Sequence, residues 1–136
     1  MKKRNPNYYF NDLNELLTKS EAISEEMHPF FEQADLFFKE GGEFTEKTAV
    51  IAGFEKGMVD YNEISNQLSA LVPNVRVIGM HKKLVKQFEE YVEACQAMVE
   101  ATKAENESAF RLSEKNQELL SEVLGKTINR IVKLAM

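Results

Sequence analysis

Apolar residues recur at steps of three and four along four stretches of this chain, and almost nowhere in alternation. The clearest seam is Leu84, Phe88, Tyr91, Cys95 and Met98, flanked by Val85, Val92 and Val99. A 4-3-4-3 spacing brings all five to one face of an α-helix. The first stretch runs from Leu13, Leu16 and Leu17 through Ile23, Met27, Phe30, Phe31 and Ala34 to Phe37 and Phe38. The second carries Val50, Ile51, Phe54, Met58, Tyr61, Ile64, Leu68, Leu71 and Val72. The last holds Ala109, Phe110, Leu112, Leu119, Leu120, Val123, Leu124, Ile128, Ile131, Val132 and Leu134.

Punctuation between the stripes predicts helices over approximately 11–40, 45–72, 75–103 and 107–135. Asn11 or Asp12 can cap the first. Pro29 lies inside it and removes one backbone hydrogen bond, yet the apolar phase is unbroken, which predicts one helix kinked at Pro29. Gly41-Gly42 ends it, and Thr45 is a cap for the second, with Phe44 as a staple residue. Gly53 and Gly57 stand four apart in the second stripe, a spacing that lets a neighbouring helix approach closely. Pro73-Asn74 is the strongest break.

Residues 102–108 are polar but hold neither glycine nor proline. As a turn, they leave four helices of similar length, roughly 40–45 Å at the α-helical rise. Equal lengths suit an antiparallel bundle. As helix, they make the last segment roughly 90 Å long, giving three helices and implying a homodimer or a separate docking surface. The expectation is an all-α, elongated four-helix bundle in up-down-up-down order. The alternative is three helices with a very long C-terminal one. Residues 1–136 read as one helical domain, without repeats or low-complexity tracts.

Composition changes this picture little. With 43% apolar and 29% charged residues the chain is ordinary for a folded domain, and its three prolines and six glycines are few enough to favour long helices. A formal net charge of −5 disfavours general nucleic-acid binding. No apolar run approaches the roughly 18–20 residues of a transmembrane segment. Lys2, Lys3 and Arg4 are followed by Asn5-Pro6-Asn7, Asp12 and Glu15 rather than by the apolar core of a signal peptide. A cytoplasmic location is expected, or export without a cleaved leader. The single cysteine, Cys95, has no internal disulfide partner and reads as a small buried apolar residue.

Candidate chemistry is sparse. Glu25 and His28 form a Glu-x-x-His pair, but a di-iron bundle needs that pair on two helices, and the other histidine, His81, follows Ile78 at that spacing. The run Glu89-Glu90-Tyr91-Val92-Glu93 resembles the carboxylate spacing of helical nucleotide pyrophosphatases. That resemblance covers five residues; the second acidic motif, ending in aspartate, has no counterpart, since Asp12, Asp35 and Asp60 all lie upstream. No Ser-His-Asp set, phosphate loop or Cys-x-x-Cys is present. No cofactor or metal is expected. Met27, Met58, Met80 and Met98 read as core filler. Tyr8, Tyr9 and Phe10 are expected to fold back on the bundle ahead of the first helix, as an N-terminal clasp.

Charge is unevenly spread. Arg76, Lys82, Lys83 and Lys86, with His81 among them, occupy a stretch without an acid; Lys126, Arg130 and Lys133 occupy another, and Lys2, Lys3 and Arg4 open the chain. In an up-down-up-down bundle these stretches share one end. Bases at the start of a helix oppose its dipole, so a basic pole kept there suits binding to a partner. The pole Arg76, His81, Lys82, Lys83, Lys86, Lys126, Arg130 and Lys133 is the candidate site. The function expected is a non-enzymatic protein–protein interaction module of adaptor, immunity or secretion-partner type, its protein partner unknown. The alternatives are a metal- or nucleotide-dependent hydrolase using Glu25, Glu26, Glu89, Glu90 and Glu93, and, more weakly, contact of the pole with an anionic surface or nucleic acid.

Overall fold

The structure, a computed structural model, describes residues 6–135, and four helices account for nearly all of them. They are α1 (Pro6–Glu40), α2 (Lys47–Ala70), α3 (Ile78–Lys103) and α4 (Glu107–Ala135). Packing runs in sequence, α1 on α2, α2 on α3 and α3 on α4, as in an up-down four-helix bundle. The stripes predicted on α1, α2 and α3 form its core, but of the stripe predicted on α4 only Phe110 and Ile131 are buried, while Leu112, Leu119, Val123, Val132 and Leu134 are exposed. On α2, Val50, Phe54, Gly57, Tyr61, Ile64 and Leu68 are buried at steps of four and three. On α3, the seam Leu84, Phe88, Cys95 and Met98 is buried, with Tyr91 half-exposed.

Residues 104–106 are a turn, which removes the three-helix alternative. Asn106 N–H donates to Ala101 O at 2.9 Å, and Glu105 N–H to Thr102 O at 3.1 Å. Glu105 takes a left-handed φ of 53°, and the Asn106 side chain then caps α4 by accepting from Ala109 N–H at 3.1 Å. An αL residue followed by an Asx cap does here what glycine and proline do elsewhere.

Three boundaries differ from expectation. α1 begins at Pro6, so Tyr8, Tyr9 and Phe10 are in its first turns rather than in a clasp outside the helix. Tyr9 is buried, Phe10 half-buried and Tyr8 exposed, as one face of a helix requires. α2 starts at Lys47, capped by Glu46 without a side-chain hydrogen bond, not by Thr45. Phe44 stacks instead on Phe37, at 4.3 Å between ring centroids, which ties the loop back to α1. α3 starts at Ile78 after an irregular stretch from Leu71 to Val77. α1 continues through Pro29.

The glycine pair on α2 sets the α1–α2 spacing. A Cβ at Gly53 would run into the Phe30 ring, and one at Gly57 into the Met27 side chain. Both helices approach through these two positions.

A candidate interaction pole

Hydrogen bonds that cross the bundle locate one end of it. Tyr9 of α1 meets His81 of α3, with Tyr9 Oη 2.8 Å from His81 Nδ1. His81 Nε2 lies 3.1 Å from Leu68 O, near the end of α2. A carbonyl only accepts, so Nε2 carries the proton and Nδ1 accepts from the Tyr9 hydroxyl. Thr127 of α4 donates to Gln87 Oε1 of α3 at 2.6 Å, both side chains buried. The start of α1, the end of α2, the start of α3 and the end of α4 therefore share this end.

Compared with known proteins, the chain matches no family model, no curated protein and no solved structure.

His81 does not belong to the surface of the pole. It is buried, and burial pushes its pKa below the ordinary value, opposed by the hydrogen bond to Leu68. It is a neutral clamp between three helices. Burial likewise pushes the Tyr9 phenol up to about 12, so it stays a donor. The sequence contained this signal: Val77, His81, Leu84 and Phe88 continue the core phase of α3 toward its start. Gln87 and Thr127, a second buried polar link, gave no such sign, because a polar residue one step off an apolar stripe is equally at home in water.

The other seven residues of the predicted site, Arg76, Lys82, Lys83, Lys86, Lys126, Arg130 and Lys133, are exposed. Among the described residues none of them makes an ion pair, whereas Lys19, Lys39, Lys47, Lys56, Lys103 and Arg111 all do. Lys2, Lys3 and Arg4 lie outside the described residues. From Ile64 to Phe88 the chain has no acid, nor from Val123 onward; Asp12 and Glu15 are the only acids between residues 6 and 20. Among the described residues, no acid pairs with the seven cations at this end.

Sequence reasoning missed the apolar part of the same end. Val72, Val75 and Ile78 are exposed in or beside the loop between α2 and α3, Val75 by 89%. By spacing alone, Val72 belongs to the α2 stripe. Placing it on a loop removes the helix face that would have buried it. A β-branched residue held in water next to Arg76 leaves apolar area available for contact.

The carboxylate candidates do not converge. Glu25 and Glu26 on α1 and Glu89, Glu90 and Glu93 on α3 are all exposed. His28 lies 2.6 Å from Glu32, one turn further on, rather than turning to Glu25. Among the described residues no three His, Cys, Asp or Glu side chains come together in a metal-holding group. Cys95 is buried, and desolvation pushes its thiol up to about 12, which keeps it protonated and a poor nucleophile. No helix is long and apolar enough to cross a membrane among the described residues.

Proposed function

We propose that the chain is a non-enzymatic interaction module that docks an acidic patch of a partner protein on the open end of the bundle. The observation carrying this reading is the set of seven exposed cations that make no ion pair among the described residues, at the same end of the bundle as exposed Val72, Val75 and Ile78. Charge without a neutralising neighbour steers association, and exposed apolar side chains supply contact area that excludes water. Basic residues in the first turns of α3 also oppose its dipole. A bundle selected for stability alone has no reason to keep them there.

The test compares the wild-type chain with Lys82→Glu plus Lys83→Glu, and with Val75→Asp, in proximity labelling followed by reconstitution with the purified partner. The reading predicts a partner bound by the wild type in a salt-sensitive way, and weakened at least tenfold by each variant. Undiminished binding in both variants contradicts it. Binding to anionic phospholipid vesicles by the wild type alone, with no protein partner recovered, would replace the protein by a membrane surface.

A further inference from the structure

A second feature of the bundle lies along its side, between α1 and α4. These two helices touch at one end, where Phe31 and Phe38 pack on Phe110 and Arg111 reaches Asp35. Further along, small residues face the seam: Ser20 and Ser24 on α1, Ser121 and Gly125 on α4. It stays open there as two adjoining cavities of about 500 and 410 Å³, sharing Ser24, Tyr61, Tyr91 and Ser121 in their linings. Residues of α2 and α3 form the floor of both.

The two chambers differ in chemistry. The first has the rings of Phe31, Tyr61 and Tyr91 together with Glu114, Glu118 and Glu122, and no lysine or arginine lines it. Glu114 is paired with Arg111, and His28, at the rim, lies against Glu32; Glu118 and Glu122 make no ion pair among the described residues. The second chamber is walled by Leu16, Leu68, Leu84, Phe88, Leu124 and Ile128, with Glu21 its one charged residue. Carboxylates beside aromatic rings favour a cation, the acids by charge and the ring faces by their quadrupole. Aliphatic walls favour hydrocarbon.

The dimensions select a small occupant. Floor residues Tyr61, Phe54 and Leu84 are 2%, 2% and 1% exposed, so an occupant rests on the half-buried wall residues rather than on the floor. The volumes fall in the range of small-molecule sites, roughly 300–1,000 Å³. A Cβ at Gly125 would meet nothing within 4 Å, so this part of the α4 wall opens onto free space that a larger side chain could fill.

We propose that the α1–α4 seam binds a lipophilic cation, with an ammonium-type head between Glu118, Glu122 and the Tyr91 ring and an apolar tail along Leu17, Leu124 and Ile128. This site is independent of the basic end and of any partner docked there.

Calorimetric titration of the full chain with decyltrimethylammonium, and in parallel with decanoate, both below their micelle concentrations, tests it. The expected result is saturable one-to-one binding of the cation, at least tenfold tighter than that of decanoate. Glu118→Gln with Glu122→Gln should remove that preference, weakening the cation about tenfold while leaving decanoate unchanged. Gly125→Phe should abolish binding of both probes while circular dichroism and the unfolding midpoint show the bundle intact. Ser24→Phe, on the opposite wall, should do the same should Gly125→Phe fail to fold. Equal affinity for decanoate, retention of cation binding in both wall-filling variants, or no saturable cation binding overturns the proposal.

Discussion

Where α1 finishes and α4 begins, the bundle satisfies itself. Phe110 is fully buried against Phe31 and Phe38, at 5.7 and 4.7 Å between ring centroids, and Arg111 bridges Asp35 and Glu114. Desolvation alone would raise the Asp35 pKa, but hydrogen bonds from Arg111 and Lys39 hold it below the usual carboxylate value. Lys47 reaches across to Glu105 at 2.7 Å. At the opposite end, among the described residues, seven cations make no ion pair and Val72, Val75, Ile78, Val132 and Leu134 are exposed, while the first end exposes Leu36 and Leu112. The buried Asn74 Oδ1 there has no partner, alone in this among the side-chain atoms of the described residues. What separates the two ends is charge: one pairs its cations Lys39, Lys47, Lys103 and Arg111, and the other leaves its cations without an ion pair among the described residues. Such a division is expected where selection acts on binding as well as on folding.

The largest effect that could break this comparison concerns the closed end. Phe110→Ala should cost about 3–5 kcal/mol in urea unfolding, since a fully buried ring is lost together with two aromatic contacts. A loss under 1 kcal/mol would mean that the aromatic cluster does not hold α1 to α4.

The open end has one internal lock, His81. His81→Ala should cost about 2–3 kcal/mol, because Leu68 O and the Tyr9 hydroxyl both lose a buried partner. The same residue sets a pH response. Its folded pKa lies below the ordinary 6.5, so as pH falls past that value the unfolded chain takes up a proton first. Stability contributed by neutral His81 is thus present above about pH 6.5 and declines on acidification until the folded form also protonates. Unfolding midpoints measured between pH 7.5 and 5.5 should fall in the wild type and flatten in His81→Gln.

Smaller effects sharpen the account of how α1 meets α2. Gly53→Ala should destabilise by about 1–2 kcal/mol, since the stiff Phe30 ring must give way. Gly57→Ala should be near neutral, because the flexible Met27 side chain can move and the gain in helix propensity, about 1 kcal/mol, offsets the crowding. Equal losses from both would place the constraint in the backbone rather than in these two side chains.

Much of the fold was readable because a buried helix face leaves a period in the sequence. The seam from Leu84 to Met98 and the α2 stripe are where spacing puts them, and His81 continues the α3 phase toward Val77. The turn at 104–106 was ambiguous because Glu105 adopts a left-handed conformation that glycine usually marks. Tyr8 to Phe10 were misjudged since Pro6 is as acceptable in a helix's first turn as in a leader. The basic end was legible as charge, but its exposed apolar residues were not: Val72 reads as core until the chain direction after Leu71 is known. The α1–α4 seam was wholly illegible. Periodicity says which face of a helix turns inward and nothing about whether two inward faces meet.

The central claim, that cations at the open end are held for a partner and those at the closed end for the fold, is tested most directly by urea unfolding of matched neutralisations. Arg111→Gln should lower the unfolding free energy by about 1 kcal/mol, as a partly buried ion pair is broken. Lys82→Gln, Lys83→Gln and Lys86→Gln together should leave it unchanged or raise it slightly, by relieving repulsion among like charges. A loss in the triple variant as large as that from Arg111→Gln would contradict the account.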